Sequence, residues 1–127
     1  MENVLNASVD YRLVNLTPHV MSMYNPLDDT LMFTMDSEGL ARVSQTTTPL
    51  TQISVGGYVV DTGVNQFGEV EGLPAPQNGV LYFVSAMVAT RAWAAGRVDV
   101  VCPLEYKRSE GRIEGIYSLQ FNPSLAR

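Results

Sequence analysis

The hydrophobic pattern of this chain is clearest between residues 80 and 96. Val80–Val84 (VLYFV) is apolar at every position, so both faces of the strand that it predicts must be covered, and we expect a central, buried strand. Ser85 is a good N-cap, and Ala86–Ala95 is rich in helix-forming residues and stops before Gly96, which suits a helix C-terminus. The pattern therefore predicts a buried strand that leads directly into one helix, nearly free of charge and packed over most of its circumference.

Alternating apolar and polar residues predict seven further short strands. These strands are expected at Tyr11–Leu16, Val20–Tyr24, Leu31–Met35, Leu40–Ser44, Tyr58–Asp61, Val98–Cys102 and Arg112–Phe121. Two other segments, Thr46–Val55 and Phe67–Glu71, are expected to be extended.

Turn-forming residues separate these strands. Asp36–Gly39 predicts a tight turn that pairs Leu31–Met35 with Leu40–Ser44, and Gly56-Gly57 predicts a two-residue hairpin. We expect loops at Thr62–Gln66, at Gly72–Gly79 (GLPAPQNG) and at Glu105–Gly111, with Pro103 ending the strand before the last of these.

These elements predict a β-rich α+β domain. Its mostly antiparallel sheet has about eight short strands, and its one main helix covers about residues 86–95. The length of 127 residues suits a single globular domain at residues 11–127, preceded by a flexible N-terminal arm at residues 1–10.

Charge and cysteine content limit the classes of function. The net charge of −5 argues against general nucleic-acid binding and against anionic membranes, because both require basic residues that neutralise phosphates. Cys102 is the only cysteine, so no intrachain disulfide is expected, and no apolar run is long enough to span a bilayer. These features predict a cytoplasmic protein. Seven of the eight basic residues are arginines, which either reflects genome composition or favours an anion-binding site.

Three segments resemble a known group of proteins: Asn15–His19 (NLTPH), Glu69–Ala89 (EVEGLPAPQNGVLYFVSAMVA) and Asp99–Pro103 (DVVCP). The chain resembles a group of small, mostly uncharacterised proteins of tailed phages, prophages and actinobacterial genomes. That resemblance spans about residues 14–119 and implies a phage or prophage origin, and hence the host cytoplasm. It brings no catalytic role, but some small phage proteins sequester nucleotide second messengers of antiphage defence, which would suit a pocket that contains arginine.

One predicted ligand site is centred on the helix start at Ser85, where unpaired backbone N–H groups and the helix dipole favour an anion. Arg91 can lean back toward this start, or pair with Glu69 or Glu71, or extend into solvent. His19, Tyr82 and Arg42 complete the five predicted ligand-binding residues. Ser85 as a simple cap and His19 as a structural residue are the alternatives.

Catalytic and metal chemistry find little support in the sequence. Cys102 ends an apolar strand and is expected to be a small buried residue, while Glu69 and Glu71 are expected to be solvated or paired with arginine. One cysteine and one histidine cannot form a zinc site, and no phosphate-loop or dinucleotide motif is present. We therefore expect no catalytic residues, no metal and no cofactor.

Three functions follow, in order of preference. The first is a non-enzymatic binding protein that sequesters a small anionic or nucleotide-like ligand. The second is an interaction module that contacts a host or phage protein through an exposed face of Met21, Met23 and Tyr24, or through Gly72–Gly79. The third is a small nucleotide-acting enzyme with His19 as acid or base. Open sheet edges predict a homo-oligomer for any of them.

Overall fold

The computed structural model describes residues 9–126, so the predicted arm at residues 1–10 lies almost wholly outside the described residues. Within this range the chain forms ten strands, one α-helix and one 3₁₀ turn at Pro123–Ala126. The elements are β1 (Arg12–Asn15), β2 (Met21–Tyr24), β3 (Leu31–Met35), β4 (Arg42–Pro49), β5 (Ile53–Val55), β6 (Tyr58–Val60), β7 (Gly63–Glu71), β8 (Val80–Phe83), α1 (Ala86–Ala94), β9 (Val100–Ser109) and β10 (Arg112–Gln120). The β-rich α+β class with one main helix is confirmed.

Six of these strands form one sheet in the order β1-β8-β9-β10-β2-β3. Strand β8 lies between β1 and β9 and runs parallel to both, which fits its apolar sequence. Strand β10 also pairs with β2 in parallel, at Ile116 and Met23. Antiparallel pairing joins β9 to β10, β2 to β3, β4 to β7 and β5 to β6, so most of the paired residues in the described part of the chain are antiparallel. The alternation of apolar and polar residues does not indicate that β8 runs parallel to both of its neighbours.

The two ends of the six-stranded sheet meet, which closes it into a small barrel. Asn15 at the end of β1 bridges to Ser37, just after β3, and the Glu38 amide donates to the Asn15 carbonyl at 2.8 Å. A hydrophobic cluster of buried and partly buried residues receives a side chain from each of the six strands, and this is expected of a barrel interior. Its members are Leu13, Met21, Met23, Met35, Leu81, Phe83, Val101, Ile116 and Leu119, with Tyr11 and Phe121.

Helix α1 packs on the outside of the barrel, against the parallel strands. Ser85 caps it, and Gly96 follows with φ 96° as predicted. Only Val88, Ala89 and Ala92 are buried, so the expectation that most of the helix circumference is packed is wrong. Trp93 is half-buried against the same core, and most of the other residues of α1 are exposed because the helix packs on the barrel and on the base of β4 and β7 along one side only.

Strands β4 to β7 form a long two-stranded arm, defined here as residues 42–71. Strand β4 pairs with β7, and β5 pairs with β6 around the Gly56-Gly57 turn, where both glycines have positive φ as a hairpin of this type requires. Only the base of the arm packs on the barrel, through Val43 and Val70.

The arm overturns two predictions. Leu40–Ser44 is not the hairpin partner of β3, because β3 pairs with β2 and the chain leaves the barrel at Arg42. The segment Thr62–Gln66 is mostly strand rather than loop, since its backbone completes the long ladder with β4.

A third correction concerns the end of the chain. Strand β9 continues through Pro103 to Ser109, and Glu110-Gly111 forms the tight turn to β10, so the predicted loop at Glu105–Gly111 is wrong. Pro103 is tolerated because the β9–β10 ladder shifts register beside its partner Leu119.

Candidate functional site

The NLTPH segment, which follows β1, is held by a hydrogen-bond network centred on the buried side chain of Asn15. Its amide nitrogen donates to the carbonyl oxygens of His19 (2.7 Å) and Met35 (3.1 Å), while its amide oxygen accepts from the backbone and hydroxyl of Thr17. All four hydrogen-bonding positions of the Asn15 amide group are thus used. This network fixes the bend at residues 17–19 and thereby positions His19.

A cavity of 580 Å³, called here the strand-end cavity, opens where β1 and β8 end. It is lined by Thr17, Pro18, His19, Val20, Met21, Ser22, Phe83, Val84, Ser85, Ala86, Pro103, Tyr106, Ile113, Glu114 and Gly115. The two strands are parallel, so the bend after β1 and the helix start after β8 reach the same edge of the sheet. Of the five predicted ligand-binding residues, the structure brings together His19 and Ser85 here.

The start of α1 supplies the polar end of this cavity. The Ser85 hydroxyl accepts a hydrogen bond from the Val88 amide (3.4 Å), which is ordinary N-capping. No acidic residue occupies the first turn, so the positive end of the helix dipole is not neutralised within the helix. Ala86 lines the cavity, and the first helical turn therefore faces it.

The remainder of the strand-end cavity is mainly apolar, with one formal charge. Among the described residues that line it, Glu114 is the only Asp, Glu, Lys or Arg. The other walls are formed by aliphatic and aromatic side chains and by prolines, which suit the uncharged body of a ligand.

An arginine that sequence analysis missed lies next to this cavity. The Arg108 guanidinium stacks on the ring of Tyr106 (5.4 Å), and Arg108 pairs across the ladder with Ile113. Tyr106 and Ile113 both line the cavity, so Arg108 is flanked by two lining residues. The alternation of Tyr106 and Arg108 would have indicated this neighbour if their segment had been interpreted as a strand rather than a loop.

The other three predicted residues lie elsewhere. Tyr82 is buried, and its hydroxyl donates to the Ala75 carbonyl (3.0 Å), so it holds the loop before β8. Arg42 forms an exposed ion pair with Glu71 (3.4 Å) at the base of the arm. Arg91 stacks on Phe67 of β7 (5.3 Å) instead of leaning back to the helix start.

Arg91 and Glu69 instead line a second cavity of 520 Å³ between β7 and α1. Arg97 also lines it, but its guanidinium is already engaged by Asp99, with two contacts of 2.8 and 2.9 Å, and by the Pro74 carbonyl. This second cavity lies along the later part of α1, away from the positive end of the helix.

The remaining candidates have structural surroundings. Cys102 is buried, burial raises the pKa of its thiol, and this disfavours the reactive thiolate. The expected exposed face of Met21, Met23 and Tyr24 is wrong: Met23 is buried inside the barrel, Met21 packs against that core, and the ammonium of Lys107 stacks on the Tyr24 ring.

Residues 9–126 contain neither a metal-binding cluster nor a helix that could span a membrane. In this part of the chain no group of three or more His, Cys, Asp or Glu side chains is arranged to hold a metal ion. None of its helices has the length and apolar character needed to cross a membrane.

The chain was also compared with known proteins. No protein family, no curated protein and no solved structure matches it.

Proposed function

We propose that this chain is a non-enzymatic binding protein that holds a small nucleotide-like ligand in the strand-end cavity. The supporting observation is the convergence of the ends of two parallel strands, the bend with His19 and the start of α1 on one cavity. In sheets with parallel strands, ligands bind beyond the carboxyl ends of the strands. The volume of 580 Å³ lies within the range typical of small-molecule sites.

The chemistry of the cavity suggests how such a ligand would bind. A phosphate or carboxylate would accept hydrogen bonds from the first turn of α1, beside Ser85 and His19. A base or other flat ring would pack against Tyr106, which Arg108 already covers on one side. The Glu114 carboxylate would accept hydrogen bonds from ligand hydroxyl or amino groups.

Binding is favoured over turnover because the groups that could perform catalysis are mostly dispersed or unconnected. The Cys102 thiol is buried, Glu71 pairs with Arg42, and Glu69 lines the other cavity. His19 shares the strand-end cavity with Glu114, but within the described residues no hydrogen bond or ion pair joins their side chains. A general acid or base needs a partner group or substrate atom within hydrogen-bond reach.

The resemblance to phage proteins extends this proposal to a biological role. A phage-encoded binding protein would act in the host cytoplasm, and sequestering a nucleotide signal of antiphage defence requires binding without breakdown. The ligand class that this role implies, a small nucleotide, is also the class that the chemistry of the strand-end cavity favours.

The test is a ligand-depletion experiment with AMP, ADP-ribose, cyclic ADP-ribose and cyclic dinucleotides. The protein is incubated with each nucleotide and removed by filtration, and the filtrate and the heat-denatured protein are analysed by chromatography. We expect at least one nucleotide to be depleted from the filtrate and released intact on denaturation. Breakdown would overturn the non-enzymatic part of the proposal, and absence of depletion across the panel would overturn the ligand class.

The second candidate is a protein-interaction role. The observation that favours it is the exposed arm of residues 42–71, whose distal part projects away from the barrel.

A further inference from the structure

The arm of residues 42–71 is the least covered part of the described chain. Every residue from Gln45 to Asp61 is exposed to solvent, on both faces of the ribbon. Only its base packs on the barrel, through Val43 and Val70. The distal part of the arm therefore has no core of its own.

The side chains of the distal arm are unusual for a solvent-exposed ribbon. Asp61 is the only charged residue between Val43 and Gly68. Seven large apolar residues are exposed there: Leu50, Ile53, Val55, Tyr58, Val59, Val60 and Val64. Native proteins usually protect such edges with charges, particularly lysine, or with proline, and here Pro49 and Asp61 alone are of these kinds.

A free ribbon of this composition is unfavourable in water. A two-stranded hairpin is marginally stable at best without a third strand or a packed face. Within residues 9–126, β4 pairs only with β7 and β5 only with β6, which leaves the outer backbone edges of the ribbon unpaired. The unpaired backbone edges and the exposed apolar side chains are thus both suited to contact with another protein surface.

We propose that the arm docks against the arm of a second copy of this chain, across a two-fold axis. A strand placed antiparallel to its own copy brings N–H groups opposite C=O groups, so the backbone edge is complementary to itself. Apolar side chains that lie on the same face of the joined sheet then contact one another as cross-strand neighbours.

Charge favours a second copy at this surface. The chain carries a net charge of −5, so two copies bear like net charge. The distal arm is the long stretch where two copies can approach with almost no charge in contact. An acidic or basic partner would find no complementary charges there.

The size of the arm also fits a dimer. A standard protein interface takes about 20–30 residues and about 800 Å² from each partner. The arm of each copy carries about that many exposed residues, counted over its edge and both faces.

The experiment measures the mass of the full chain by light scattering and sedimentation equilibrium, up to millimolar concentration. We expect the wild type to reach twice 13.9 kDa and the double variant Tyr58→Glu/Val59→Glu to remain at the mass of one chain. These two positions are 77% and 72% exposed and lie on opposite faces of the ribbon, so the substitutions should not disturb the monomer fold. Circular dichroism melting checks that fold.

A control variant, Leu27→Glu/Leu104→Glu, adds the same charge at exposed apolar residues outside the arm and should still dimerise. A shortened arm tests the same interface independently: Thr46–Gln66 is replaced by Asn-Gly, which can close the paired residues Gln45 and Phe67 into a tight turn. This variant should be a folded monomer. A wild-type mass of one chain at every concentration, or dimers that persist in both arm variants, would overturn the proposal.

Discussion

At the scale of single residues, the NLTPH segment has its structural centre at Asn15 and Thr17. The Asn15 side chain is fully buried and joins the end of β1, the bend at His19 and the end of β3. Removing a buried polar group leaves its former partners without hydrogen bonds, and the cost of this usually exceeds the net contribution of the bonds themselves. The segment thus closes the barrel as well as shaping the strand-end cavity.

Replacing Asn15 by Ala should lower the free energy of unfolding by about 2–4 kcal/mol, because two carbonyls and Thr17 lose buried partners. Urea unfolding measures this. The matched control is Asn65→Ala on the exposed arm, where the side chain bonds only to Thr47, and its effect should stay within about 0.5 kcal/mol. Equal effects of the two substitutions would contradict the role given to Asn15.

Asp29 offers a test based on pH. Its carboxylate accepts from Lys107 (2.6 Å) and Tyr117 (2.8 Å), and these hydrogen bonds lower the pKa of Asp29. A lowered pKa means that the ionised group stabilises the fold above about pH 3.9, the ordinary value, and that this contribution is lost as pH falls through the folded-state pKa. The same contact with Asp29 raises the pKa of Lys107, so the pair should also weaken at strongly alkaline pH.

Asp29→Asn should therefore destabilise the protein at neutral pH and have little effect at pH values well below the folded-state pKa of Asp29. Asn tolerates the positive φ of 61° at this position, so the substitution isolates the charge. Urea unfolding of both proteins at neutral and strongly acidic pH gives the comparison. A stability difference that is the same at both pH values would show that the carboxylate charge has no part in it.

At the scale of elements, Arg97 connects the end of α1 to the loop at residues 72–79. Its guanidinium binds both carboxylate oxygens of Asp99 and the Pro74 carbonyl, and it stacks on Tyr82 (5.9 Å). Asp99 is a buried residue, and the Arg97 guanidinium is its ion-pair partner.

Arg97→Ala should cost about 3 kcal/mol of unfolding free energy, because it leaves the buried Asp99 carboxylate without its counter-ion. Arg97→Lys should recover only part of this, since lysine cannot form the two-point contact. The double variant Arg97→Ala/Asp99→Ala should be more stable than Arg97→Ala alone. If the double variant were less stable than the single one, the lost ion pair would not explain the effect.

The elements that could be predicted from the sequence are those determined by residues close to one another in the chain. The strand β8, the Ser85 cap, Gly96 and the Gly56-Gly57 hairpin were predicted correctly, because each depends on neighbouring residues. Strand β7 was partly missed, since its polar start is extended only through pairing with β4. The passage of β9 through Pro103 was missed because it depends on a register shift in the partner strand.

At the scale of the whole molecule, parallel pairing around β8 brings the candidate site together. Strands β1 and β8 are separated by more than sixty residues of sequence, and their register places the bend at His19 beside the start of α1. Hydrophobic alternation contains no signal for such pairing, so the sequence alone does not indicate which of the five predicted residues share a cavity. His19 and Ser85 share a cavity, whereas Arg91 turns to Phe67 and Arg42 to Glu71.

The central claim is that a ligand anion binds at the start of α1 in the strand-end cavity, and charge placement along this helix tests it. Ala86→Asp introduces a carboxylate into the first turn, where it should stabilise the helix by about 0.3–1 kcal/mol and repel an anion. Thr90→Glu adds the same charge one turn further on, at an exposed position that lines neither cavity. Arg91→Ala removes the arginine that was first assigned to the site.

The measurement is calorimetric titration of the wild type and these three variants with the nucleotide that is depleted most strongly from the panel. Ala86→Asp should weaken binding by about tenfold or more, the scale of one charge-assisted contact, while Thr90→Glu and Arg91→Ala leave the affinity nearly unchanged. Equal losses in Ala86→Asp and Thr90→Glu, or a loss confined to Arg91→Ala, would contradict binding at this cavity.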